Sequence, residues 1–154
     1  MNTSKKESIT LLKEKDISPS IQRIKVLEYL HNSKDHPTVD KIFIDLVQEI
    51  PTLSKTTVYN ILKLFTEKSI ARTVRIDNNE ARYDGDTSTH GHFKCDKCGI
   101  IYDFTVNMEE LKFTTLNKFK TDEKNIYLYN VDCLPFISIP GNKCTGLFSA
   151  GSKL

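Results

Sequence analysis

Residues 54–84 read SKTTVYNILKLFTEKSIARTVRIDNNEARYD, and the change of pattern inside this stretch decides the fold. A helix begins at Ser54 and runs to about Ser69, polar at its start and apolar at its end. After Ser69 the text turns into short β-like pieces, ARTVRI and ARYD, joined by the turn-forming DNNE. Working back toward the N-terminus, HPT at 36–38 breaks the chain. Thr38 then caps a helix carrying Ile42, Phe43, Leu46 and Val47. Ser18-Pro19 offers an N-cap followed by proline at the first helical position, opening a helix with Ile21, Ile24, Val26, Leu27 and Leu30 as its apolar side. Residues 5–15 place Ile9 and Leu12 at helical spacing. Three or four short helices followed by a β-hairpin outline a winged helix-turn-helix, which we bound at residues 1–83.

Residues 84–154 follow a different rhythm. GHFKC, a knuckle at DKCG, IIYDFT, a helix near Met108 to Phe119 and then NIYLYNV predict a small sheet with one helix across it. The fold class expected is therefore α+β, in two units of similar size.

The totals agree with this and narrow the function. A chain of 154 residues with 38% hydrophobic content supports either one medium core or two small ones. No apolar run is long enough to span a bilayer, and MNTSKKESITLLKEKD lacks the apolar core and small-residue cleavage site of a secretory signal. A cytoplasmic protein with no membrane partner is the expectation. Net charge is only +2, but its distribution is uneven: residues 1–83 hold fourteen Lys/Arg against eleven Asp/Glu, and 84–154 hold eight against nine. The mild basic excess lies with the helices.

Four cysteines, two of them as CxxC, favour a metal site over a disulfide framework in a reducing compartment. Cys95 and Cys98 reach one zinc ion because the two intervening residues form a tight turn that aims both thiolates inward, with Gly99 as the exit. The chain offers only Cys133 and Cys144 as a second cysteine pair, the alternative within a zinc site being three cysteines and another ligand. A redox pair or reduced core thiols are the alternatives.

His90 and His92, one residue apart in an expected strand, leave the same face and can share an ion. An HxH pair alone is a weak signal. Asp84 before it and Asp103 after the knuckle strengthen it, and His36, in the polar break beside Pro37, is the candidate remote ligand, the plainer alternative being that it caps or decorates a turn. Three imidazoles and two carboxylates suit Fe(II), Mn(II) or Zn(II), whereas the thiolate set selects zinc. The stretch HGHFKCDKCG at 90–99 thus serves two sites.

Ser54, Lys55, Thr56, Thr57, Tyr59 and Asn60 put hydroxyls, an amide and a cation on the first turns of their helix, where a recognition helix meets base edges and phosphates. Arg72, Arg75 and Arg82 on the hairpin are candidate phosphate partners. A capped surface helix would explain Ser54 and the leading polar residues alone.

With these residues in view, the sequence resembles the ferric uptake regulator family over roughly residues 5–133. The matching stretches are SPSIQRIKVLEYL, DHPTVDKIFIDL, SKTTVYNILKLF, ARYDGDTSTHGHFKCDKCGIIYDF and NIYLY. The resemblance implies a dimeric, metal-dependent bacterial repressor: a winged helix over 1–83, then a small α/β dimerisation domain with structural zinc over 84–154. It is most similar to the family's peroxide-sensing branch, which implies a regulatory Fe(II) or Mn(II) site of His36, Asp84, His90, His92 and Asp103. Iron-sensing members usually carry glutamate where Asp103 stands and arginine where Asn60 stands. The branch further implies repression at an AT-rich palindromic operator, ended when iron and peroxide convert His36 or His90 to 2-oxo-histidine. One departure is plain. The family's second CxxC is absent; Cys133 is present, Phe136 stands where its partner belongs, and Cys144 follows across a Pro/Gly-containing loop. The competing expectations are an iron- or manganese-availability sensor of the same fold and a non-haem metal enzyme, the latter weakened by the lack of a substrate-pocket motif.

Overall fold

A computed structural model of the chain describes residues 5–76, 80–96, 99–107 and 126–130. The chain is α+β and divides into two compact units, Met1–Thr89 and His90–Leu154. This division and the expected boundary at Tyr83/Asp84 differ by a short segment. That segment is held to the first unit, because the Arg72 guanidinium donates to the carbonyls of Thr87 and Ser88.

The first unit contains α1 (Lys5–Glu14), α2 (Ile21–Asn32), α3 (Val39–Val47), α4 (Lys55–Glu67), β1 (Arg72–Val74) and β2 (Arg82–Asp84). Its core is assembled from the expected periodic positions: Leu12, Ile24, Val26, Leu27, Leu30, Ile42 and Leu46, joined by Val58, Ile61, Leu62 and Phe65 of α4. Phe65, Leu62 and Val58 have no exposed surface, and full burial of each such side chain contributes roughly 1.5–3 kcal/mol. The capping oxygens of Thr38 and Ser54 accept from the backbone N–H of Lys41 and Thr57, as the sequence predicts.

The start of α2 is a correction. Ser20, not Ser18, caps it: its Oγ accepts from Arg23 N, while the Arg23 side chain donates to Ser18 O at 2.7 Å. The side chain at the third helical position thus fixes which of two nearby serines becomes the cap. The shift leaves Ile21 as the first helical residue and 70% exposed, so it does not join the apolar side assigned to it.

Strands β1 and β2 pair antiparallel with Arg72 opposite Asp84, forming the wing behind α4. The second unit contains β3 (His90–Cys95), β4 (Ile101–Thr105) and β5 (Tyr127–Asn130). They form one sheet in the order β4-β3-β5, antiparallel on one side of β3 and parallel on the other. The expected helix near Met108 to Phe119 lies outside the described residues. Among the described residues no helix is long and apolar enough to cross a membrane.

Candidate metal centre and nucleic-acid interface

The second unit builds one cluster from the pleat of a strand. Residues two apart on β3 share a face, so His90 and His92 project together. The β3–β4 register sets Asp103 directly opposite His92, and directly opposed residues share that face. The outcome is tight: His90 Nε2 and His92 Nε2 stand 3.1 Å apart, one ring N–H donating to the other ring's lone pair, and Asp103 Oδ1 lies 3.8 Å and 3.7 Å from them. The two imidazoles meet edge to face, with centroids 4.6 Å apart. Both histidine side chains are nearly buried, at 8% and 5% exposed, whereas Asp103 is 45% exposed.

These distances fit a shared ion. Two nitrogens each about 2.1 Å from one metal and at right angles around it stand about 3 Å apart. The donor set is nitrogen and carboxylate oxygen, which suits Fe(II), Mn(II) or Zn(II).

Sequence reasoning missed the close packing beside this pair. Gly91, between the histidines, lies opposite Phe104 on the other face of the sheet, and a Cβ there would come within 2.2 Å of the Phe104 ring. A glycine interrupting a strand pattern is the available signal of such a close approach. Tyr127 was missed as well. It pairs with His92 across the parallel register, and its ring lies 5.9 Å from the His92 ring, tilted by 32°.

The first unit builds its own cluster by irregular means. His36 is buried and adopts φ +46°, a left-handed conformation uncommon outside glycine, although asparagine, aspartate and histidine take it more often than other L-residues. The segment that follows is tied to β2: Tyr83 N donates to Pro37 O, Thr38 forms an isolated bridge with Arg82, and the Arg82 guanidinium donates to His36 O. These tethers bring His36 Nε2 to 3.9 Å from Asp84 Oδ2, and Asp84 is itself buried. The other Asp84 oxygen accepts from Asp86 N.

Of the four candidate zinc ligands only Cys95 is described; Cys98, Cys133 and Cys144 lie outside the described residues. Cys95 is 1% exposed, and its backbone closes the knuckle through Gly99 N to Cys95 O at 2.7 Å, with Gly99 at φ +71°. Its sulfur is disulfide-bonded. A sulfur in a disulfide offers no thiolate, so zinc at this position needs the reduced chain.

On α4, Thr56, Tyr59 and Asn60 are exposed on one face while Val58, Ile61, Leu62 and Phe65 are buried on the other. Ser54 and Thr57 are occupied by the cap, their hydroxyls 2.8 Å apart, and Lys55 pairs with Asp40 at 2.5 Å. On the wing, Arg75 is exposed, and the Arg72 guanidinium donates to the carbonyls of Thr87 and Ser88.

The comparisons with known proteins agree with this geometry. The model of the ferric uptake regulator family matches residues 14–129. The peroxide operon regulator of Bacillus subtilis (strain 168) is 35% identical over 129 residues, covering 82% of this chain and 89% of that protein. Among solved structures, the ferric uptake regulator of Vibrio cholerae superimposes with a TM-score of 0.66 over 79% of this chain and 97% of that one. At 20% identity it speaks for the fold alone. The Campylobacter jejuni peroxide stress regulator superimposes with a TM-score of 0.64 at 26% identity, over 82% of this chain and 97% of that one. A winged helix followed by a histidine-bearing sheet, a family match across most of the length and a relative similar over nearly all of its own length lead to one conclusion: the chain belongs to the ferric uptake regulator family of metal-dependent transcriptional regulators.

Proposed function

We propose that this chain is a peroxide-responsive, metal-dependent repressor in which His36, Asp84, His90, His92 and Asp103 bind one regulatory Fe(II) or Mn(II) ion. The observation that carries the proposal is the His90–His92–Asp103 cluster, whose spacing and donor chemistry suit such an ion. The similarity to a peroxide operon regulator supports the sensing role. When bound, iron supplies the one-electron chemistry toward peroxide that manganese and zinc do not.

The chain's own residues do the rest. His36 and Asp84 belong to the winged-helix unit, and His90, His92 and Asp103 to the sheet unit, so an ion held by both sets favours one arrangement of the two units over others. Moving such an equilibrium from about 1:99 to 99:1 takes roughly 5.5 kcal/mol of differential binding. Oxidation of His36 or His90 to 2-oxo-histidine removes an imidazole lone pair from the set and releases that bias.

In the favoured arrangement a homodimer presents two α4 helices to a palindromic, AT-rich operator in the cytoplasm. Asn60 offers a bidentate pair to adenine, Thr56 a methyl to thymine, and Tyr59 and Arg75 contacts to the backbone. Reduced Cys95, with Cys98, Cys133 and Cys144, holds a structural zinc ion.

The test loads the protein anaerobically with Fe(II), applies a brief peroxide pulse, and follows operator binding alongside mass spectrometry of the peptides holding His36 and His90, with Mn(II) as control. Oxygen added to a histidine only in the iron sample, together with loss of DNA binding, is the expected result. Unmodified histidines in iron-loaded protein that still binds DNA would instead make it a metal-availability sensor. Repeated turnover without consumption of the protein would point to an enzyme.

A further inference from the structure

We infer that Tyr127 is a second oxidation site of the peroxide response, competing with the metal-binding histidines for the oxidising equivalents. This inference rests on the peroxide-sensing function proposed above. It is carried by the sheet of the second unit alone: the β3–β5 register sets Tyr127 beside His92, their rings 5.9 Å apart and tilted by 32°, on the face that bears His90 and Asp103.

A phenol gives up an electron more readily than a neutral imidazole, and its ring is electron-rich at the carbons next to the hydroxyl. An oxidant produced at the histidine cluster therefore meets, within one ring contact, a group easier to oxidise than the ligands themselves. The step balances with hydrogen peroxide as the sole oxidant. The O–O bond breaks, one oxygen replaces a hydrogen on the ring carbon next to the phenol, and the other leaves as water carrying that hydrogen and the second peroxide proton. The tyrosine loses two electrons and becomes 3,4-dihydroxyphenylalanine; the peroxide gains the same two.

The consequence for sensing is a threshold. An oxidising event that ends on Tyr127 leaves every donor of the metal set intact, so repression survives it. An event that ends on His36 or His90 does not.

The experiment uses the full-length chain, loaded with Fe(II) or Mn(II) and pulsed with graded hydrogen peroxide, as wild type and as Tyr127→Phe. Fragment-ion mass spectrometry places the added oxygen on individual residues. Phenylalanine keeps the ring against His92, and Tyr127→Leu, which has no ring to hydroxylate, serves as a second variant. The expected result is dihydroxyphenylalanine at position 127 in iron-loaded wild type and none with Mn(II). In both variants histidine oxidation should rise, and DNA release should shift to lower peroxide. Histidine oxidation of unchanged yield in both variants, with Tyr127 unmodified in wild type, would overturn the inference and leave the peroxide sensor standing. No oxidation of histidine or tyrosine in iron-loaded protein would overturn both.

Discussion

The two clusters of candidate metal ligands are assembled by opposite routes. His90, His92 and Asp103 sit on a regular antiparallel ladder, where the pleat and the register do the positioning. His36 and Asp84 sit where the backbone is irregular: His36 holds a left-handed φ, and tethers from Pro37, Thr38 and Arg82 to their neighbours fix the segment. A ladder costs no backbone strain, so pleat and register suffice to bring its candidate ligands to one face. A left-handed histidine costs about 1–3 kcal/mol, which the surrounding contacts must offset.

The largest effect expected on this contrast is in metal binding. His92→Ala should weaken Mn(II) binding by more than about 100-fold, since changes one shell further out already cost about 10–100-fold. His36→Ala should do the same if both clusters hold one ion. Titration with EPR detection of free Mn(II) measures both. A loss confined to His92→Ala would mean that the irregular cluster serves something else.

Next in size is the support of the ladder. Gly91→Ala drives a methyl group into Phe104 and should destabilise the protein by about 1–3 kcal/mol in urea unfolding. Phe104→Leu should recover much of that loss in the same background. An unchanged unfolding midpoint in Gly91→Ala would show that the ring can move aside, and that the spacing of the histidines does not depend on it.

The smallest effect separates strain from ligation. His36→Asn and His36→Ala both remove the imidazole, but asparagine tolerates the left-handed region and alanine does not. The metal-free Asn variant should therefore be more stable than the Ala variant by about 1 kcal/mol in thermal unfolding. Equal stabilities would place the strain elsewhere.

The same contrast explains how much could be read from the sequence. The HxH pair was legible because a two-residue period states which side chains share a face, and Asp103 could be named only as a nearby carboxylate, since its place opposite His92 is a matter of register. The caps at Thr38 and Ser54 were legible because hydroxyls at the start of a helix have one obvious use. The cap of α2 was not, since Ser18 and Ser20 both qualify and the hydrogen bonds of Arg23 decide between them. Phe104 beneath Gly91 and Tyr127 beside His92 depend on strand register, which no local pattern states. His36 could be named as a candidate, but its left-handed backbone and its approach to Asp84 come from tertiary tethers. Arg72 looked like a phosphate partner because charge is visible in a sequence, while the carbonyls of Thr87 and Ser88 that engage it are not.

The most informative experiment counts the imidazoles on one ion. Pulsed EPR of Mn(II)-loaded protein carrying 15N-histidine resolves the coordinated ring nitrogens. One ion held by His36, His90 and His92 predicts three in wild type, falling to two in His36→Ala. Two in wild type, unchanged by His36→Ala, would contradict a site shared between the winged-helix unit and the sheet.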